Sequence, residues 1–142
     1  MPTSSPASPC GLDTSVVLRL LTGEPQPQAL AAKAFLESAT QAGTTVLMSD
    51  MVVAESYFAL HFHYGVPKRD ALQALLDFLT SGWVQPQEGG TAVAALHASL
   101  DSSAKVGFVD RLIHLQYRTM SASMVSSERA AARLERTVIL RA

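Results

Sequence analysis

At 142 residues the chain has the length of one ordinary domain, and a 48% hydrophobic content supplies enough apolar side chains for a core of its own. Eleven Lys and Arg against twelve Asp and Glu leave a net charge of −1, which excludes a global pull toward nucleic acid and leaves any polyanion site to a local arrangement. No apolar run reaches the ~18 to 20 residues of a membrane span, MPTSSPASPCG lacks the basic start and apolar core of a signal peptide, and the lone Cys10 has no disulfide or metal-site companion, so the expected compartment is the cytoplasm.

Taken in chain order, residues 1–11 form a Pro/Ser-rich extension expected to be disordered, and residues 12–142 a single domain. A short strand around Pro9 to Leu12 leads through DTS into a helix, VVLRLLTG, stopped by Gly23. PQALAAKAFLESATQAG fits a second helix with Leu30, Ala34, Phe35 and Ala42 along one face and Gly43 as its stop. TTVLMS is β-branched and apolar, a buried strand, and Ser49 or Asp50 can cap the helix MVVAESYFALHFHYG that follows. PKRDALQALLDFLTSG has a proline-led first turn and a terminal glycine, WVQP is a weak strand, and GGTAVAALHASLDSS and GFVDRLIHLQYRTMSA are two further helices. SMVSS, ERAAARLERT and VIL close the chain as strand, short helix and strand. This alternation predicts an α/β fold with a parallel sheet covered on both faces.

The acids carry the chemistry. Asp13 stands between Leu12 and a nearly unbroken apolar run, where it, Thr14 or Ser15 can cap a helix beginning at Val16, or where its carboxylate serves a site. Glu55 has Met51 and Val52 one turn before it and Phe58 and Ala59 one turn after; Asp110 has Val106 and Gly107 before and Ile113 and His114 after. On apolar faces such carboxylates need a partner: a structural hydrogen-bond network, a cation or a metal. In a parallel sheet, sites gather beyond the carboxyl ends of the strands, where Asp13 and the helix bearing Glu55 are expected, with Asp110 on a helix packed beside that edge. Clustered carboxylates repel one another unless compensated, and Mg²⁺ or Mn²⁺, which prefer carboxylate and water oxygens, would resolve the conflict and suit phosphodiester hydrolysis.

Four ordered pieces, LDTSVVLRLL, VVAESYFAL, GFVDRLIHLQY and SSERAAARLERTVIL, span Leu12 to Leu140. Together they resemble the PIN-domain ribonucleases, most closely the VapC-type toxins of bacterial toxin–antitoxin pairs. The resemblance implies a three-layer α/β/α sandwich with a central, mainly parallel sheet and Mg²⁺- or Mn²⁺-dependent endonuclease action on RNA. It implies Asp13, Glu55 and Asp110 as metal-binding catalytic acids, and a supporting hydroxyl at Ser15. It also implies dimers silenced by a small antitoxin protein. Two departures stand out. The first strand is a stub, and in the last motif Ser126, Ser127 and Glu128 stand where the family has a Ser or Thr, a spacer and then Asp or Asn, so Glu128 is a candidate fourth ligand and Ser126 a supporting hydroxyl.

Ser15 occupies the position where a haloacid-dehalogenase-like phosphatase needs a second aspartate, which excludes that chemistry. His61 and His63, two residues apart, point to different sides of a helix and read as surface or edge histidines rather than zinc ligands. Arg129, Arg133 and Arg136 recur at i, i+4 and i+7 of the expected last helix, either an RNA-phosphate stripe or a solvated face beside Glu135. Phe78 and Trp83 read as core, with a dimer surface as the other reading. ALQALLDFL offers more apolar helix surface than one small sheet covers, which predicts a homodimer. The functional alternative to a ribonuclease is a catalytically silent PIN-like module that binds RNA or a protein partner.

Overall fold

The computed structural model describes residues 8–102 and 105–141, so residues 1–7 of the expected disordered extension lie outside it. The chain divides into two compact units, one ending at Glu88 and the other beginning at Gly89. Among the described residues, no helix is long and apolar enough to cross a membrane.

The first unit is built on a three-stranded parallel sheet in the order β1 (Cys10–Gly11), β2 (Val46–Met48), β3 (Gln85–Pro86). Cys10 pairs with Val46 and Gly11 with Leu47, while Leu47 and Met48 pair with Gln85 and Pro86. The ladder runs past the strand ends: the Leu12 amide donates to the Leu47 carbonyl at 2.9 Å and the Gln87 amide to the Met48 carbonyl at 3.0 Å. Thus Cys10 and Gly11 belong to the sheet and not to a disordered extension, which corrects the boundary drawn at residue 11.

Helix α1 (Thr14–Thr22) begins two residues before the expected Val16, because Asp13 holds extended backbone (φ −81°, ψ 159°) and its carboxylate takes up the first free amide. It ends as expected at Gly23, whose left-handed backbone (φ 72°) lets its amide reach the Arg19 carbonyl at 2.9 Å, a conformation in which a Cβ would be strained. In α2 (Gln26–Gln41) the buried row is Ala32, Leu36 and Ala39. Leu30, Ala34, Phe35 and Ala42 are all exposed, so the expected face is the wrong one. An Ala-rich helix with apolar residues all round has no strong amphipathic pattern to fix which face turns inward.

Ser49 caps α3 (Asp50–Phe58), its hydroxyl accepting from the Val52 amide at 3.2 Å. The helix runs on into a π-helical turn, Ala59–His63, in which His61 faces the Val66 carbonyl at 2.9 Å through Nδ1 and His63 is exposed, consistent with edge histidines. The buried side of α3 carries Asp50, Val53, Ser56 and Tyr57, and burial pushes the Tyr57 phenol above its ordinary value. In α4 (Lys68–Leu79) every leucine is buried, so the apolar surplus expected there is spent inside the chain. Trp83, expected in the core, is 45% exposed, and Phe78 is half-buried.

The second unit comprises α5 (Ala92–Asp101), α6 (Phe108–Thr119), and two parallel strands, β4 (Met124–Ser126) and β5 (Thr137–Ile139). Phe108, Leu112, Leu96 and Met124 fill its core. The expected last helix is a short 3-10 helix, Arg129–Arg133, followed by Arg136 in left-handed backbone (φ 51°). Buried His114 on α6 lies 2.7 Å from the Glu135 carbonyl through Nε2, and Arg118 Nε donates to Glu135 Oε1 at 3.3 Å, which ties that turn to α6. The fold is therefore α/β with parallel strands, as the alternation predicts.

Candidate active site

Parallel β-strands point their carboxyl ends the same way, so the segments leaving β1, β2 and β3 meet along one edge of the first unit's sheet. A cavity of about 480 Å³ opens there, lined by Leu12 and Asp13 after β1, Ser49 after β2, and Gln87 and Glu88 after β3. Gln87 braces the edge: its side-chain Oε1 accepts from the Asp50 amide at 3.0 Å. Asp50 is itself 2% exposed at the first turn of α3.

Asp13 is both the cap and a member of an acid pair. Its Oδ1 accepts from the Thr14 amide at 2.8 Å and its Oδ2 from the Ser15 hydroxyl at 3.3 Å. The same Thr14 donates its hydroxyl to Glu55 Oε2 at 3.3 Å, across 41 residues of sequence. One threonine thus holds both carboxylates, by its amide and by its hydroxyl, and joins the start of α1 to the second turn of α3.

Glu55 is not buried, contrary to the apolar surroundings read from its neighbours. Met51, 72% exposed, and Phe58 flank it on the outward side of α3 and are exposed with it. Its partnership comes from Thr14 and not from a need to offset desolvation. Asp13 is exposed too, so both carboxylates keep water-accessible lone pairs for a ligand.

Two carboxylates with hydroxyls from Thr14 and Ser15 form an all-oxygen donor set, with no thiolate or imidazole among them. Such a set fits a hard divalent cation such as Mg²⁺ or Mn²⁺. Within each unit, among the described residues, no three His, Cys, Asp or Glu side chains stand close enough to hold a metal by themselves. The first unit thus supplies two acids of a set and not a closed cage.

In the second unit Asp110 is half-buried in the first turn of α6, its Oδ2 lying over Gly107, where a Cβ would stand 3.6 Å from it. Glu128 is exposed at the N-cap of the 3-10 helix and makes no side-chain cap there. Its backbone amide donates to the Ser126 hydroxyl at 3.0 Å, so Ser126 fixes the turn that carries Glu128. Arg129, Arg133 and Arg136 are all exposed, but the 3-10 helix ends at Arg133 and the chain reverses hand at Arg136, so the single α-helical stripe is not formed.

Sequence reasoning missed the bridging role of Thr14 and the contributions of Gln87 and Glu88. Thr14 was visible beside Asp13 as a possible cap, but its bond to Glu55 is a tertiary contact with no local signature. Gln87 and Glu88 follow a two-residue strand too short to announce its edge position.

Comparison with known families is consistent with this geometry. The PIN domain profile matches residues 11–136, a span that runs from β1 into the turn before β5 and contains Asp13, Glu55, Asp110, Ser126 and Glu128. Searches of curated proteins and of solved structures found no match to the chain. The chain belongs to the PIN domain family, whose members are generally nucleases that use divalent metal ions.

Proposed function

We propose that this protein is a metal-dependent endoribonuclease, the toxin of a toxin–antitoxin pair, hydrolysing RNA phosphodiester bonds in the cytoplasm under the control of a small antitoxin protein. The single observation that carries the reading is Thr14 joining Asp13 and Glu55 at the carboxyl edge of a parallel sheet. The VapC-type assignment rests on the four ordered motifs. The homodimer rests on apolar side chains left outside, chiefly Met51, Phe58 and Phe62 along α3 and the π-helical turn.

In this reading Asp13, Glu55 and Asp110 hold Mg²⁺ or Mn²⁺, with Glu128 as a fourth carboxylate. When bound, the cation supplies Lewis acidity toward water and phosphate oxygens. The chain's own residues do the rest. Thr14 fixes the two carboxylates of the first unit in one orientation, and Ser15 holds the rotamer of Asp13 through Oδ2. Ser126 sets the backbone from which Glu128 projects. Arg129, Arg133 and Arg136 offer exposed cations for the RNA backbone.

The test is cleavage of single-stranded RNA by the purified chain with Mn²⁺ or Mg²⁺ and in chelator, beside a variant carrying Asp13→Asn, Glu55→Gln and Asp110→Asn. Cleavage that needs the cation and vanishes in the triple variant supports the reading. Equal cleavage in chelator or by the triple variant overturns it, and RNA binding without cleavage under every condition would identify a silent binding module.

A further inference from the structure

A second cavity of the first unit, about 640 Å³, lies between α1 and α2 and shares Gly11, Leu12 and Asp13 with the cavity at the sheet edge. Val16, Ala31 and Ala32 give it an apolar lining, and Phe35 lines it too, 44% exposed. The lining also includes Arg19 of α1, whose Nε donates to Gln28 Oε1 of α2 at 2.8 Å. Ser15, hydrogen-bonded to Asp13, marks where this cleft meets the acid pair.

An aromatic ring left in contact with water forfeits burial, and a guanidinium braced by a neighbouring amide is held in one orientation. An aromatic face, an oriented arginine and an amide in one apolar-lined cleft are the groups that take an unstacked base: stacking on the ring, and charge or hydrogen bonds for its edge and phosphate. We propose that the cleft between α1 and α2 binds a nucleobase of single-stranded RNA next to the Asp13–Glu55 pair, with Phe35 as the stacking face and Arg19, braced by Gln28, as the cation that receives the adjoining phosphate or base edge. The inference rests on the ribonuclease reading for its choice of ligand. It makes the cleft a determinant of which base lies beside the cleaved bond.

The experiment is done in chelator, where binding is separated from catalysis: fluorescence anisotropy of a short, labelled, mixed-sequence single-stranded RNA with the full chain. Phe35→Leu and Arg19→Gln should each weaken binding about five- to tenfold, since base–aromatic stacking contributes roughly that much per base or more. Phe35→Tyr keeps a ring and should bind as wild type, and Leu30→Ala, exposed elsewhere on α2, should change nothing. With Mn²⁺ restored, mapped cleavage sites should lose a base preference in Phe35→Leu. Wild-type affinity in both Phe35→Leu and Arg19→Gln overturns the proposal, as does equal weakening by Phe35→Tyr. So does a Phe35→Leu protein that keeps its RNA affinity and changes its oligomeric mass, which would make the cleft a protein contact. Phe35-dependent binding without any cleavage would keep the cleft and remove the nuclease reading, whereas cleavage with an unchanged site pattern in both variants would do the reverse.

Discussion

The acids of the first unit and those of the second are held in different ways. Asp13 and Glu55 share one threonine, Asp13 at the N-cap of α1 and Glu55 in the second turn of α3, and each belongs to a capped helix: α1 by Asp13 itself and α3 by Ser49. Glu128 projects from a five-residue 3-10 helix whose backbone is fixed by Ser126 while its carboxylate caps nothing. Where a side chain must be aimed to within a fraction of an ångström, the first arrangement leaves few rotamers open and the second leaves many. The two acids of the first unit are thus a preorganised pair, whereas the Glu128 carboxylate of the second unit is left free to choose its rotamer.

The largest effect is expected from removing a carboxylate of the Asp13–Glu55 pair. Asp13→Asn retains a side chain that caps α1, and Glu55→Gln retains the acceptor for Thr14, so folding should persist. Mn²⁺-dependent RNA cleavage should still fall on the order of a hundredfold in each, as for loss of a metal ligand or its orienting partner. Full activity in both variants would remove the pair from the site.

Next in size is the bridge. Thr14→Val keeps the shape and the amide donated to Asp13 but deletes the hydroxyl donated to Glu55. Cleavage should drop about tenfold, the scale of one net hydrogen bond, and Thr14→Ser should restore it. Steady-state kinetics on a fixed RNA measures this, and a Thr14→Val enzyme equal to wild type would show that Glu55 is aimed by something else.

Glu128 should respond less. If its carboxylate serves the site, Glu128→Ala lowers single-turnover cleavage several-fold at limiting Mn²⁺ and Glu128→Asp retains it, because the role needs a carboxylate and not that length. Loss of stability alone, about 0.3 to 1 kcal/mol, would mark it as a charge at a helix start.

The smallest effect concerns the opposite face of α3, where Tyr57 is buried on the same helix that carries Glu55. Its phenol is raised above 10.0 by burial, so the native state holds the proton more tightly than the unfolded chain. That contribution is fully present below pH 10, the ordinary tyrosine value, and is lost as pH rises through the folded value. Chemical denaturation should show stability falling above pH 10, and less steeply in Tyr57→Phe; identical pH slopes would contradict it.

Most elements were legible in the sequence because their boundaries are written in local chemistry: Asp13 and Gly23 bracket α1, Ser49 opens α3, and the β-branched, apolar TTVLMS gives β2. The candidate acids were legible through their ordered motifs. What failed was orientation. The spacing of Phe35 and Leu30 points to a face of α2 that lies outside, and the apolar neighbours of Glu55 suggest burial although Met51 and Phe58 are exposed with it. Periodicity locates a stripe, but only tertiary packing decides which stripe turns inward. Arg129, Arg133 and Arg136 were spaced for an α-helix, and the chain formed a 3-10 helix followed by a left-handed residue, so their i+4 and i+7 spacing has no common face.

Whether Asp13 and Glu55 act as one divalent-cation site is measured by calorimetric titration of the metal-free protein with Mn²⁺ for wild type, Asp13→Asn, Glu55→Gln and the double variant. Two ligands of one ion are coupled, so each single change should abolish most of the saturable binding and the double variant should lose little more. A double variant that binds Mn²⁺ as tightly as wild type would contradict the account.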